Sequence, residues 1–316
     1  MRCVVLDDYQ DVALAYADWG SLRGVTVETI GRHLATDDDV VAALAGAEVV
    51  VAMRERTPFT AARLARLPDL RLLVTTGMRN ASIDLQACAE HGITVCGTGS
   101  SFRPPAEHTW ALILGLARHL VTEATELRAG GPWQSTVGTD LRGATLGLVG
   151  LGRIGTAVAE VGTAFGMDVV AWSPHLTVER ASAGGTRLVG KQELFSEADF
   201  VSLHLVLSET TRAIVGAAEL AAMKPAAYLV NTSRAGLVDT SALRRALDTR
   251  AIAGAGLDVF DEEPLPAGHP LRSHPRVLAT PHTGYVTHGN YTTFFTEAVE
   301  DVEAWLAGAP VRVLAG

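Results

Sequence analysis

The chain has 316 residues, 48% of them hydrophobic, and a formal net charge of −9 at pH 7, enough material for about two packed domains of ordinary size. The acidic balance argues against a nucleic-acid partner, which selects for a basic face, and no run of about 18 uncharged apolar residues offers a membrane span. Cys3, Cys88 and Cys96 are odd in number and widely spaced, which fits buried thiols in a reducing cytoplasm better than a disulfide framework or a zinc site.

Short apolar runs alternate with helical stretches, the pattern of a parallel α/β architecture. The opening MRCVVLDDYQ has only a short apolar run before Asp7 and Asp8, so it predicts a first strand rather than a signal peptide. Strands are predicted at 2–6, 25–30, 48–52, 70–75 and 94–96, alternating with helical segments such as 40–44 and 61–67. One long helix is predicted over 106–127, followed by a polar, glycine-rich link over 129–140. The strand pattern restarts at 145–149 and recurs at 168–172, 200–204, 227–231, 253–258 and 277–279. A final helix near 290–307 places Phe294, Phe295, Val299, Val302, Trp305 and Leu306 at helical spacing, and Gly308 with Pro310 stops it. The apolar tail 311–314 is expected to return to the first unit.

Gly150, Gly152 and Gly155 follow the strand at 145–149 in the order G-x-G-x-x-G, within GLVGLGRIG. In a dinucleotide site the first glycine permits the tight turn, and the second lets the backbone approach a pyrophosphate. The third lets the helix pack against the strand, and the helix N-terminus faces the anion. A glycine-rich turn without a ligand is the competing reading, weakened by the strand before the loop and the helical spacing after it. An acidic residue about 20 positions on ordinarily binds the adenosine ribose. Here the next strand runs into Ser173. A serine does not repel a 2′-phosphate as a carboxylate would, and His175 and Arg180 lie close in sequence, so both NAD and NADP are open.

Three further polar residues each follow a predicted strand: Arg234 in NTSRAGLVD, Glu263 in LDVFDEEP and His282 in TPHTG. The carboxyl ends of strands are where open α/β sheets bind ligands. A carboxylate substrate suits a guanidinium, which stays charged and binds as a planar fork. Carbonyl reduction needs a proton donor near neutral pH, which suits histidine. A carboxylate on the other imidazole nitrogen raises the pKa of such a histidine and fixes its tautomer. Taken singly, each of the three is more often an ordinary surface or packed residue; their shared placement gives them weight.

The segments VGLGRIG, HLVLSETTR, MKPAAYLVNTSRAGLVD, LDVFDEEP and TPHTGY, in this order, resemble the D-isomer-specific 2-hydroxyacid dehydrogenase family, and the resemblance covers nearly the whole chain. It implies two Rossmann-like domains. A dinucleotide-binding domain with a doubly wound parallel sheet, 102–284, is inserted into a flavodoxin-like substrate domain built from 1–101 and 285–316. It implies an NAD(P)-dependent oxidoreductase that interconverts a 2-keto acid and its D-2-hydroxy acid. His282 would be the acid/base, Glu263 its partner and Arg234 the substrate-binding arginine, with Gly150, Gly152, Arg153, Ile154, Gly155, Ser173, His204, Thr232 and Asp258 around the cofactor. It also implies a homodimer. With its last residue at Gly316, the chain is expected to lack the C-terminal regulatory extension of the longer members of the family.

The sequence departs from the family pattern at Val206, where proline is usual, at Ala235, where glycine is common, at Ser173, and at Arg79, where glycine is frequent. These bear on substrate and cofactor choice rather than on reaction class. Arg54, Gly77, Met78 and Arg79 follow predicted strands of the first unit and are the substrate-binding candidates there, with two arginines suited to a second anionic group. Two other readings compete. A non-catalytic dinucleotide sensor can share the fold, and relatives of this architecture oxidise unusual acids such as formate or phosphite. No metal site is expected.

Overall fold

The structure, a computed structural model, describes residues 1–314. The chain forms two compact units, one of residues 1–101 together with those from Val286 onward, the other spanning Phe102–Tyr285.

In the first unit, β1 (Arg2–Val5), β2 (Thr26–Thr29), β3 (Val49–Ala52), β4 (Leu72–Thr75) and β5 (Thr94–Gly97) pair in the order β2-β1-β3-β4-β5. Every pairing is parallel, with Val50 opposite Val4 on one side and Leu73 on the other. This is the flavodoxin-like order. β3 and β4 read VVVA and LLVT and are buried throughout, as strands covered on both faces must be. The helix His288–Leu306 belongs to this unit and buries Tyr291, Phe294, Phe295 and Val302. After it the tail turns back, and Val313 forms an antiparallel bridge with Cys96. Gly97 N donates to Arg312 O (3.0 Å) and Leu314 N to Val95 O (2.8 Å). Arg312 Nε in turn donates to the fully buried Asp301 (3.0 Å).

In the second unit, β6 (Thr145–Val149), β7 (Asp168–Trp172), β8 (Arg187–Leu188), β9 (Phe200–Leu203), β10 (Tyr228–Asn231), β11 (Gly254–Leu257) and β12 (Val277–Ala279) form one sheet in the order β12-β11-β10-β9-β6-β7-β8. All pairings are parallel. The winding proceeds one way from β6 to β8 and the other way from β9 to β12, so the sheet reverses between β6 and β9. That is the topological switch point, where doubly wound sheets bind ligands.

Two features differ from the sequence reading. The long helix expected over 106–127 is two helices, Arg103–Ala117 and Leu120–Arg128. His119 breaks them with φ +49°, and the Ala117 carbonyl accepts the amide of Thr139 (2.8 Å) from the returning link. Neither glycine nor proline marks that break, so apolar spacing alone runs through it. The edge strand β8 was not anticipated, being only two residues long.

Cys3, Cys88 and Cys96 are all buried and unpaired. Burial pushes their thiols up to about 12, 11 and 11 respectively, so they act as packing groups rather than nucleophiles. Among the described residues, no helix is long and apolar enough to cross a membrane.

Candidate active site

The glycine loop lies at the switch point. Gly150 leaves β6 with φ +105°, a left-handed conformation that only glycine adopts without strain. A Cβ at Gly150 would also meet the His204 carbonyl oxygen at 2.7 Å. A Cβ at Gly155 would run into the Gly150 carbonyl, so this glycine is what lets the helix Arg153–Ala164 start hard against the strand turn. A Cβ at Gly152 would meet nothing within 4 Å. The space beside the middle glycine is therefore open at the N-terminus of a twelve-residue helix whose N-cap, Gly152, offers no side-chain cap. This is a cradle for an anion, with backbone N–H groups and the positive end of the helix dipole turned to it. These residues fit the pyrophosphate of a dinucleotide. Arg153 is the first residue of that helix, and its guanidinium lies 5.8 Å from the Phe102 ring. Ile154, next to it, packs at the edge of an apolar cluster.

Ser173 follows β7 and is half-buried, while His175 and Arg180 beyond it are exposed. His204 follows β9, and its Nε2 hydrogen-bonds with Ser202 Oγ (2.9 Å). Burial lowers its pKa from the ordinary histidine value to about 4. His204 is thus a neutral ring around physiological pH and no competing source of protons.

Beyond β10 the turn is braced by Asn231. Its Oδ1 accepts from Ser233 N (3.0 Å), and its Nδ2 donates to the Arg234 carbonyl (2.9 Å). Thr232 Oγ1 pairs with Thr109 Oγ1 (2.8 Å). Thr109 already donates to Pro105 O, so Thr232 is the donor of that pair. The backbone at Arg234 is extended (φ −144°, ψ 139°), and its Nη1 donates to the Ser233 carbonyl (2.8 Å). Ala235 lines a small cavity of mixed character with Val238, Leu243, Phe260, Asp261 and His269.

Beyond β11 and β12 the structure brings two of the three polar residues into contact. His282 Nδ1 lies 2.6 Å from Glu263 Oε2. The other oxygen of Glu263 accepts from Phe260 N (2.9 Å), so the carboxylate is fixed at both ends. Their side chains keep 20% and 30% of their exposure, enough for a reactant to reach the ring. With Nδ1 committed to the carboxylate, Nε2 is the imidazole nitrogen left for proton transfer. Asp258, at the end of β11, is 1% exposed. It accepts from Thr280 Oγ1 (2.7 Å), Thr283 N (2.8 Å) and Gly284 N (2.9 Å), and His108 Nε2 lies 3.2 Å away. Burial works to raise this carboxyl, but the bonds from His108 and Thr280 outweigh it and hold Asp258 below the ordinary carboxylate range. Sequence reasoning placed Asp258 near the cofactor but missed His108. It sits in the polar triplet Glu107-His108-Thr109, just ahead of the helix's apolar run, where nothing in the sequence singles it out.

The first unit holds the other candidates as a separate group. Arg54 follows β3 with φ +52°. Its amide donates to Thr76 Oγ1 (2.9 Å) and its Nη1 to the Thr76 carbonyl (3.1 Å). The guanidinium lies so close over Gly77 (φ +101°) that any side chain there would collide with it. The Gly77 amide donates to Thr98 Oγ1 (3.0 Å). Met78 and Arg79 at the crest of this loop are exposed, and Asn80 anchors its far side, donating to Thr75 Oγ1 (2.8 Å) and to the Arg54 carbonyl (2.6 Å). Arg54 and the loop at Gly77 are thus one assembly at the carboxyl ends of β3 and β4.

Residues 110–284 match the family model described as the D-isomer specific 2-hydroxyacid dehydrogenase, NAD binding domain. The chain is 38% identical to the glyoxylate reductase of Aeropyrum pernix, covering 78% of this chain and 76% of that one. It is 38% identical to the (S)-sulfolactate dehydrogenase of Chromohalobacter salexigens, over 91% of this chain and 93% of the relative. It is 35% identical to the D-3-phosphoglycerate dehydrogenase of Synechocystis, but spans only about half (51%) of that longer chain. A crystal structure of a phosphoglycerate oxidoreductase from Vibrio cholerae superimposes with a TM-score of 0.93 at 38% identity, over 98% of this chain and all (100%) of that one. The glycine loop and its family model call for a nicotinamide dinucleotide. The chain belongs to the D-isomer-specific 2-hydroxyacid dehydrogenase family and is a nicotinamide-dinucleotide-dependent dehydrogenase of that class.

Proposed function

We propose that this protein interconverts a 2-keto acid and its D-2-hydroxy acid, with His282 as the acid/base, Glu263 fixing its tautomer and Arg234 binding the substrate carboxylate. The observation that carries this reading is the 2.6 Å contact between His282 Nδ1 and Glu263, in the loops that follow β12 and β11 of the sheet that also carries the glycine cradle. When bound, the nicotinamide supplies or takes the hydride. In reduction, His282 Nε2 gives its proton to the carbonyl oxygen as that oxygen gains negative charge; in oxidation it takes the hydroxyl proton. Arg234 holds the carboxylate by a two-pronged bond. Gly150, Gly152, Arg153, Ile154 and Gly155 hold the pyrophosphate. Ser173 meets the adenosine ribose, and His204 and Thr232 flank the remainder of the cofactor. Asp258, buried with its oxygens turned to Thr280, Thr283 and Gly284, holds the turn that carries His282 rather than a group of the cofactor.

With serine in place of an acidic residue, neither NAD nor NADP is excluded by charge. Arg54 and Arg79 favour a substrate with a second anionic or polar group, such as a phosphate, sulfonate or carboxylate, because a guanidinium binds such anions by charge-assisted hydrogen bonds. Relatives named for phosphoglycerate and sulfolactate carry such groups. The test is steady-state oxidation of NADH and NADPH over glyoxylate, pyruvate, hydroxypyruvate, oxaloacetate, phosphohydroxypyruvate and the keto form of sulfolactate. A doubly anionic keto acid is expected to lead, with Arg54→Ala lowering its kcat/KM at least about tenfold, each ~1.4 kcal/mol being tenfold. A wild type that favours pyruvate, with Arg54→Ala and Arg79→Ala unaffected, would remove both arginines from recognition. A several-hundredfold preference for NADH would show that the missing acid does not set cofactor choice. No turnover of any keto acid would favour the dinucleotide-sensor reading, and turnover of formate or phosphite alone the unusual-acid one.

We further propose a cytoplasmic homodimer. The helix Leu120–Arg128 and the link after it expose Leu120, Val121, Leu127, Trp133 (81%) and Val137 (92%), an apolar stretch more exposed than isolated surface residues explain. A solution mass near twice 33.3 kDa, by light scattering, is the expected result; a monomer would refute it.

A further inference from the structure

The turn that carries His282 is held in a conformation its own residues do not favour. His282 has φ +52°, a left-handed backbone that costs a non-glycine residue about 1 kcal/mol or more. Such a conformation persists only where the surroundings over-determine it. Asp258 provides this, with bonds from the Thr280 side chain and the Thr283 and Gly284 amides, one on the near side of His282 and two on the far side. A Cβ at Gly284 would meet Asp258 Oδ2 at 3.0 Å and His108 Cδ2 at 3.6 Å, so the turn is seated against both.

What remains is to hold Asp258 itself. That group comes from a distant part of the chain: His108, on the helix Arg103–Ala117. Its Nε2 lies 2.8 Å from Thr280 Oγ1 and 3.2 Å from Asp258 Oδ1. Thr280 Oγ1 spends its proton on Asp258. The hydrogen on His108 Nε2 is therefore shared between the threonine oxygen and the carboxylate, which assigns it to Nε2. The next residue, Thr109, braces the turn of Arg234 through Thr232.

We infer that His108 is a positioning residue for the reaction: by donating from Nε2 to Asp258 and Thr280 it locks the turn 280–284 and thereby aims the His282 ring. This rests on the reading of His282 as the acid/base. His108 touches neither substrate nor the reacting atoms. Its loss should lower kcat and leave dinucleotide affinity alone.

The experiment compares wild type, His108→Phe, His108→Gln and His282→Asn in steady-state reduction of the best keto acid, with NADH affinity by fluorescence titration and folding by thermal melting. His108→Phe removes the donor, whereas His108→Gln puts an amide N–H near the place of Nε2. The expected result is a kcat at least tenfold lower in His108→Phe, NADH Kd within about twofold of wild type, and recovery to within about threefold in His108→Gln. If His108→Phe does not fold, Thr280→Val, which removes the shortest side-chain bond to the same oxygen, is expected to show the same kcat loss, with Thr280→Ser restoring it. Wild-type kcat in His108→Phe or Thr280→Val would overturn the inference. So would a loss that follows Kd and melting temperature, or one that His108→Gln and Thr280→Ser both fail to restore. Full activity in His282→Asn would instead overturn the acid/base reading beneath it.

Discussion

His282→Asn is expected to lower the reductive kcat by about 10² to 10⁴, the range that a positioned general acid contributes, while leaving NADH affinity near wild type. The dinucleotide cradle is formed by the turn after β6, and His282 follows β12 at the far edge of the same sheet, so the substitution does not touch it. Glu263→Gln is the companion test. The 2.6 Å contact commits Nδ1 of His282 to the carboxylate, and Phe260 N anchors the opposite oxygen. A glutamine can hold the same place, but its amide offers the ring either an oxygen or an N–H. The tautomer is then no longer fixed, and part of the population presents the wrong nitrogen to the substrate. A triad that loses this control loses several powers of ten with its geometry intact, so a fall on the order of a hundredfold is expected here. An unchanged kcat in Glu263→Gln would show that the contact is structural only.

Much of this site was legible because the sequence constraints are local. Gly150 and Gly155 stand where a turn needs φ above zero and where a helix meets a carbonyl, and no other residue meets those demands, so the glycine spacing announces the loop. Arg234, Glu263 and His282 were legible because each follows an apolar run, and parallel strands in such a sheet end on one side. The pairing of Glu263 with His282 came from the family resemblance, not from spacing. Less visible were features set by tertiary contact. The helix break at His119 rests on a carbonyl accepting an amide from Thr139, twenty residues on. The clamp on the His282 turn joins His108 to Asp258 and Thr280 across some 150 residues. In sequence His108 is one of three consecutive polar residues, Glu107, His108 and Thr109, at the start of a helix, and Asp258 is one acid in the acid-rich stretch DVFDEE. Only the fold shows that the first acid of that stretch is 1% exposed, while Glu262, four positions on, is exposed.

Arg234→Lys separates charge from geometry at the substrate carboxylate, and its kcat/KM is expected to fall at least about tenfold, or ~1.4 kcal/mol of transition-state stabilisation. Lysine keeps a positive charge at this place in the turn, but it offers a point cation where arginine offers a planar fork matched to a carboxylate. The backbone gives the comparison its meaning. The turn around residue 234 is held by the Asn231 side chain, which bonds Ser233 N and the Arg234 carbonyl, and by Ser233 Oγ donating to the Leu205 carbonyl. None of these bonds uses the guanidinium, and the one that Nη1 makes to the Ser233 carbonyl is within an ammonium's chemistry, so the lysine variant should fold and bind NADH as wild type does. The division between kcat and KM then reports what the fork does. If Arg234 only anchors the carboxylate, KM rises and kcat stays, since ground state and transition state lose the same contact. If it also steadies the carbonyl as charge builds on its oxygen, kcat falls as well. Arg234→Ala should be weaker than the lysine variant, and added guanidinium salt should partly restore it by refilling the vacated place. A lysine variant with wild-type kcat/KM on the best keto acid would mean that the carboxylate is bound elsewhere, with the amides of the loop at Gly77 as the next place to look.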